Sequence, residues 1–572
     1  MKSRTVFLIV ILFSISLWIL AVYGTRVPDI KVDARFGLAQ FMPVHFWIAL
    51  LAMNIANAFF ALKVEKSEMH WIHLVSVVVT ALFFWATPSF VESAPRVHDP
   101  YAHIATSMSV TSNGYIDFSY DEYLEWPIAF ILGSIVTNVT GLPPFMFIQY
   151  FSSFVSVVLP CSMYLFVFKL LQDSRRAFAS TLLFVIGGFM VQTHFSPNTV
   201  ATMLFPLTML TILEESRRYN FLGILLFSVL VMTHSITSSI VVLTSGGMML
   251  LRFLLLRESI KQRRHMTIIL YVIYFSWLMY FATEGFRYIL VSSEDLVKAF
   301  AGGLQIEVFS VAYAAYRYSE VAILRRIEVE AYVILGLLGM LWEFCSSRKI
   351  DFSLAVCGTL YGLSILFTFI VPYFGGIFIP GEFTFRALTY LMFAGSICVS
   401  LLMNHLGNGC YGPDLKKIGG EVKSAVRGRI ALGVMLFTVV LSPFAFTAYY
   451  VDESEWMMRE SVLSGVKWTA NNVRLNETIY MDFARELRFY NGKLSMENLR
   501  GTRSRYVSPY DETMIKLAHV CVFREDARIR LFFAIDDVSY ARGLEYVTRS
   551  PYLAKVYDSH YYHEFLELSL EA

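Results

Sequence analysis

The sequence predicts a polytopic α-helical membrane protein of about thirteen transmembrane helices, closed at its C-terminal end by a small extracytoplasmic α/β domain. Three observations carry this. Of the 572 residues, 56% are hydrophobic and only 16% are charged, against about 25% charged in soluble domains. The apolar residues are gathered into long runs separated by polar connectors, as a bilayer requires, because a crossing helix must satisfy every backbone amide within itself. Lys and Arg recur in alternate connectors, which assigns a side to each.

The first run, Val6 to Val22, follows Lys2 and Arg4 and lacks a clean small-residue cleavage site, so it reads as a retained span rather than a removed signal. Further spans are expected near 41–62, 71–90, 144–171, 177–193, 198–213, 219–233, 236–256, 266–284, 329–345, 354–371, 386–403 and 430–449. The basic residues Lys2/Arg4, Lys63/Lys66, Arg175/Arg176, Arg217/Arg218, the Arg257–Arg264 cluster, Arg348/Lys349 and the 416–429 stretch then fall on one side. Short basic loops stay cytoplasmic, so the N-terminus is inside. The opposite side receives the long loops 91–143, 285–328 and 372–385, and an odd number of crossings leaves the C-terminus outside.

After Tyr450 the character changes: no segment of 451–572 is long and apolar enough to span. Asp452 to Val473 has the pattern of an amphipathic helix, with Trp456, Val462, Val466 and Trp468 on one broad side. Strand-like runs follow at Thr478–Met481, His519–Phe523 and Arg530–Ile535, and the aromatic stretch Leu553–Leu568 suits packing against this domain or the membrane surface. Sequons at Asn138 and Asn476 lie on or near the outer side.

Several function classes are disfavoured. A formal net charge of +2 gives no reason to expect a nucleic-acid partner. The six cysteines are scattered and none shows a CxxC spacing, so a disulfide scaffold or ordinary zinc site is unsupported. No glycine-rich nucleotide-binding signature is present.

Candidate chemistry collects at the outer ends of the spans. The loop after the third span reads Arg96-Val-His98-Asp99-Pro100-Tyr-Ala-His103, followed by Asp117, Asp121, Glu122 and Glu125. With Pro100 in a first turn, Asp99 would cap a helix and share a face with His103, four residues on. Capping alone would be the bland use of that aspartate. The sharper use is a carboxylate at the membrane mouth that accepts a proton from a hydroxyl, holds a cation or orients an acceptor. Trp126 to Val136 is too short to span and suits an amphipathic or re-entrant outer-leaflet helix. His194-Phe-Ser-Pro197 forms a turn between two short spans, the second interrupted by Pro206, and His234 sits in the next outer turn. Glu382 and Arg386 are four apart at the top of a later span. An arginine there is costly unless paired or facing a polar cavity, and its guanidinium matches phosphate.

On the loop 97–103, the turns at His194 and His234, and Arg386, the chain resembles the polytopic glycosyltransferases of the GT-C superfamily. Within it the chain is most similar to archaeal members with a small outer C-terminal domain, whose helix–strand start the stretch 466–482 resembles. The resemblance implies inverting transfer of a sugar from a polyprenyl (dolichyl-type) phosphate donor to a lipid, glycan or protein acceptor at the outer face. By it Asp99 is the catalytic carboxylate, with His103, Asp121 and Glu122 as further catalytic candidates. Arg386 binds the donor phosphate, with His194, Glu382 and His234 as companions. The acidic loop follows the third span here, whereas in many such enzymes it follows the first. The Trp-Trp-Asp-type acceptor motif of oligosaccharyltransferases is missing, so neither sequon glycosylation nor its divalent metal is expected. Two rivals stand beside this reading: a transporter, whose ionisable residues would sit near the membrane midplane in repeated halves, and a catalytically silent relative serving in envelope assembly.

Overall fold

The computed structural model describes residues 2–25, 36–63, 70–118, 122–188, 191–214, 216–251, 261–283, 319–347, 352–366, 381–402 and 438–450 of the helical body, five strands beyond it, and a few isolated positions between. The helices are α1 (Lys2–Gly24), α2 (Val44–Lys63), α3 (His70–Ala81), α4 (Thr87–Val91), α5 (Asp99–Asn113), α6 (Ile128–Thr140), α7 (Pro144–Leu171), α8 (Ser174–Gly187) and α9 (Pro197–Leu213). They continue as α10 (Arg217–Val231), α11 (Ser235–Leu251), α12 (Lys261–Tyr280), α13 (Ser319–Ser347), α14 (Phe352–Ile365) and α15 (Gly381–Leu401). A last helix, α16, covers 438–450. One π turn, Leu82–Ala86, joins α3 to α4 as a single apolar rod.

Among the described residues four helices are long and apolar enough to cross a membrane: Thr5–Gly24, Val44–Ala61, Trp71–Val91 and Pro144–Leu171. α1 shows why lipid rather than protein surrounds much of this body. Val6, Ile9, Leu12, Phe13, Ile19 and Leu20 are all more than half exposed, an arrangement water would not tolerate.

Inside the bundle polar side chains are spent on helix-to-helix bonds, since an unmet polar group in hydrocarbon is costly. Asn57 of α2 donates to Thr80 of α3 at 2.9 Å, Trp18 of α1 to Thr87 of α4 at 3.0 Å, and Tyr332 of α13 to the Leu183 carbonyl of α8 at 2.6 Å. α13 and α15 touch at Gly339, where an added Cβ would overlap the Cys398 carbonyl. α9 runs unbroken through Pro206, correcting the expected interruption. Pro206 removes one ladder bond, the one its amide would have given to the Thr202 carbonyl, and the helix carries that loss without breaking.

One end of the bundle gathers the connectors expected to be outer. The Val27 amide donates to the Val91 carbonyl at 2.9 Å, and the Ile128 amide to the Met232 carbonyl at 3.3 Å. Tyr449 and Tyr450, ending α16, meet the 188–196 and 92–98 connectors. The opposite end carries Lys169 paired with Glu214, and Asp173 capping α8 beneath Arg175 and Arg176. α13 begins at Ser319, so the connector expected to reach residue 328 ends earlier, and Arg325 and Glu328 are buried helical residues.

Beyond the helices, β1 (Thr478–Tyr480), β2 (Leu499–Arg500), β3 (Ala518–Phe523), β4 (Leu553–Ser559) and β5 (Tyr562–Glu567) form one sheet in the order β2-β1-β3-β5-β4. β1 pairs in parallel with β2 and β3, while β3–β5 and β4–β5 are antiparallel. Parallel neighbours need crossover connections. The expected strand at Arg530–Ile535, and most of the expected helix at Asp452–Val473, lie outside the described residues.

Candidate functional site

The site is built on the segment between α4 and α5. Glu92 and Arg96 pair across one turn with both side chains buried. Arg96 also donates to the Tyr450 carbonyl at 3.0 Å, and its guanidinium lies 4.8 Å from the Tyr450 ring centre. From α7, Gln149 donates to the carbonyls of Ser89 (3.0 Å) and Glu92 (3.1 Å). The segment is thus pinned to α7 and α16 before α5 starts.

α5 opens at Asp99 with Pro100 behind it, and His98 occupies the cap position without a side-chain cap bond. This corrects the expectation that Asp99 caps. Its carboxylate lies in the first turn, where the helix dipole favours it. It faces His98 Nε2 at 3.5 Å and His194 Nε2 at 4.0 Å, with the side chain 44% exposed. His194 comes from the connector between α8 and α9. That connector is shaped by the Ser196 cap on Thr199 (3.1 Å), by Asn198 donating to Gln192 (2.9 Å), and by the Tyr449 hydroxyl on the Val191 carbonyl (2.5 Å). A cavity of about 40 Å³ lies beside it, lined by Glu92, Arg96, Gln149, His194, Tyr449 and Tyr450 among others. That is room for two or three waters.

A second group forms where α11 and α15 meet. His234, the residue before α11, faces Thr237 Oγ1 through Nδ1 at 3.0 Å and Arg386 Nη1 through Nε2 at 3.5 Å. Tyr390 of α15 donates to Thr237 Oγ1 at 2.5 Å. His234 lies in the turn outside the spans. Its burial, and then the Arg386 charge, hold its pKa well below the ordinary histidine value, so the ring is neutral at pH 7. The Tyr390 ring packs on Phe205 of α9 at 5.1 Å. Phe205 lies about 12 Å along that helix from Pro197, at 1.5 Å per residue. α9 therefore links the two groups, its start at the aspartate group and its middle under the arginine group.

Of the residues expected at the site, Asp99 and His194 come together, as do Arg386 and His234. His103 is buried with its ring against Tyr123 (5.6 Å) and Phe130 (5.8 Å), within the α5–α6 packing. Glu122 lies in a short 3-10 turn, Glu122–Glu125, and Glu382 in the first turn of α15; the side chains of both, and all of Asp121, lie outside the described residues.

No sequence pattern marks Glu92, Gln149, Tyr449 or Tyr450 as site residues, Arg96 reads as an ordinary connector charge, and the expected connector 285–328 includes Arg325 and Glu328. Arg325 donates to the Ala448 carbonyl at 2.9 Å, two residues before Tyr450, which places it near the same end of the bundle. Two ionisable residues three apart at the head of an apolar run were the available signal. Among the described residues no group of three or more His, Cys, Asp or Glu side chains is placed to hold a metal.

No protein-family model matches the chain, and no curated protein matches it. Similar solved structures include the oligosaccharyltransferase AglB of Archaeoglobus fulgidus, described in complex with an inhibitory peptide and a dolichol-phosphate, at 11% identity and a TM-score of 0.49, covering 79% of this chain and 69% of that one. ArnT of Cupriavidus metallidurans, described bound to undecaprenyl phosphate, matches at 9% identity and a TM-score of 0.44, covering 92% of this chain and 98% of that one. Both are distant likenesses.

Proposed function

We propose that this chain is a membrane glycosyltransferase that moves a sugar from a polyprenyl-phosphate donor to a hydroxyl-bearing acceptor at the outer membrane face. The observation that carries the reading is the half-exposed Asp99 carboxylate, set between His98 and His194 at the same end of an apolar bundle as the Arg386–His234 pair. The basic residues Lys169, Arg175 and Arg176 at the other end support an outward-facing site under the positive-inside rule.

In this mechanism Asp99 accepts the proton of the acceptor hydroxyl as its oxygen attacks the anomeric carbon. The bond from that carbon to the phosphate oxygen breaks, and its electron pair leaves with the phosphate. Arg386 stabilises the charge that develops there, so the leaving group needs no proton. Attack from the face opposite the phosphate inverts the anomeric centre. His98 and His194 orient the carboxylate.

The test is transfer by purified protein from a labelled polyprenyl-phosphate sugar to a panel of lipid, glycan and peptide acceptors. Asp99→Asn is expected to lower the rate by about 10²–10⁴-fold, the range of a lost general base, without changing thermal unfolding. Arg386→Ala is expected mainly to raise the donor KM. Undiminished turnover by the Asp99 variant would refute the assignment.

A further inference from the structure

Trp85 and Gln149 each carry one buried polar atom that meets no hydrogen-bond partner among the described residues: the indole Nε1–H and the amide Oε1. Trp85 sits in the π turn between α3 and α4 and is 1% exposed; Gln149, on α7, is 7% exposed. The orientation of the Gln149 amide is fixed, because its Nε2 donates to the carbonyls of both Ser89 and Glu92, so the remaining atom is an acceptor oxygen. A donor and an acceptor left unmet in an interior are costly, and proteins relieve that cost with ordered water.

Both residues line the cavity beside Asp99, with Arg96, His194, Tyr449 and Tyr450. Its size and chemistry select the occupant. A volume of about 40 Å³ excludes a sugar ring. A cation would suit Gln149 Oε1 but be opposed by the Trp85 N–H and the Arg96 guanidinium. An anion would suit those two and be opposed by the amide oxygen and the buried Glu92 carboxylate. Water both donates and accepts, so it satisfies Trp85 and Gln149 alike. Other polar groups of the wall are committed to protein: the Tyr450 hydroxyl to the Phe84 carbonyl, the Tyr449 hydroxyl to the Val191 carbonyl at 2.5 Å, and Ser89 to Ser152 at 2.6 Å.

We propose that this cavity is a built site for ordered water, held by Trp85 and Gln149, that ties His194 to Asp99. His194 Nε2 and Asp99 Oδ2 are 4.0 Å apart, too far for a direct bond and a spacing that a water bridge spans. Trp85 and Gln149 are positioning residues and touch neither sugar donor nor acceptor. The water site stands on its geometry; its effect on transfer rests on the role given to Asp99 above.

Radiolytic footprinting of the full-length protein in nanodiscs tests the site. X-rays split bound water into hydroxyl radicals that label the side chain beside it, so Trp85 is expected to gain oxygen despite its burial. After rapid mixing into ¹⁸O-water, the label on Trp85 is expected to remain ¹⁶O while Tyr115, 63% exposed, takes ¹⁸O at once. An unlabelled Trp85, or one that takes ¹⁸O as fast as Tyr115, overturns the site.

Trp85→Phe removes the donor and keeps an aromatic ring facing Phe184. Tyr449 and Tyr450 report the cavity water in this variant, and their labels are expected to take ¹⁸O faster than in the wild type. The His194 signals in ¹⁵N-histidine spectra, assigned by their loss in His194→Gln, are expected to shift. In the transfer assay kcat is expected to fall about two- to tenfold, the span of one neutral hydrogen bond, with the donor KM unchanged. His194 signals and kcat both unchanged in Trp85→Phe overturn the tie to Asp99. If Trp85 carries the slow label and no acceptor receives sugar, the transfer reading fails alone. If Asp99 governs transfer and Trp85 carries no slow label, the water site fails alone.

Discussion

Asp99 lies in a helix's first turn, where a negative charge is favoured by about 0.3–1 kcal/mol, and its side chain is still 44% exposed. The helix dipole and the two flanking imidazoles give the carboxylate polar surroundings without burying it. His194→Gln should therefore leave the fold intact and reduce transfer less than Asp99→Asn does, because it removes an orienting partner and not the base. The same panel of acceptors checks this.

His234 makes a different prediction. Its pKa in the folded protein lies below that of the unfolded chain, about 6.5, so the unfolded state binds more protons in that window and stability rises with pH. Falling pH should lower the thermal midpoint in detergent from about pH 6.5 downward, until the folded ring also protonates. His234→Asn should flatten that slope, and an unchanged slope would assign the acid sensitivity elsewhere.

At the scale of elements, the 92–98 segment shows what the sequence conceals. Asp99, His194, His234 and Arg386 were legible because each is a polar residue at the end of an apolar run. Glu92 and Arg96 read as ordinary connector charges, since only their burial against Tyr450 of α16, distant in sequence, makes them a clamp. Arg96→Ala should cost about 3–5 kcal/mol, because it removes the ion-pair partner of the buried Glu92 charge. Thermal unfolding of that variant beside Glu92→Gln measures it. Gly339 was equally silent: glycine in a helix is a weakness until a neighbouring backbone occupies its Cβ position. Gly339→Ala should separate α13 from α15 and destabilise by about 1–3 kcal/mol. Pro206 misled in the other direction, because the loss of one backbone donor does not interrupt α9.

For the whole molecule, alternation of helices and short connectors brings the 92–127, 188–196 and 232–234 connectors to one end. Tyr115→Cys at that end and Arg217→Cys at the other, each in a background without the native cysteines, should label with a membrane-impermeant thiol reagent from opposite faces of oriented vesicles. Labelling from the same face would contradict the crossing pattern.

The membrane class, the helical runs and the strand-like runs at 478–480 and 519–523 follow from composition and periodicity, because the demands of hydrocarbon and of the backbone act locally along the chain. The parallel pairing of those strands does not, and neither does which polar residues meet. Packing decided that Asp99 lies beside His194 while His103 turns into an aromatic pocket, and that Arg386 faces His234. Those contacts join helices far apart in sequence, and no local pattern encodes the rotation of one helix against another.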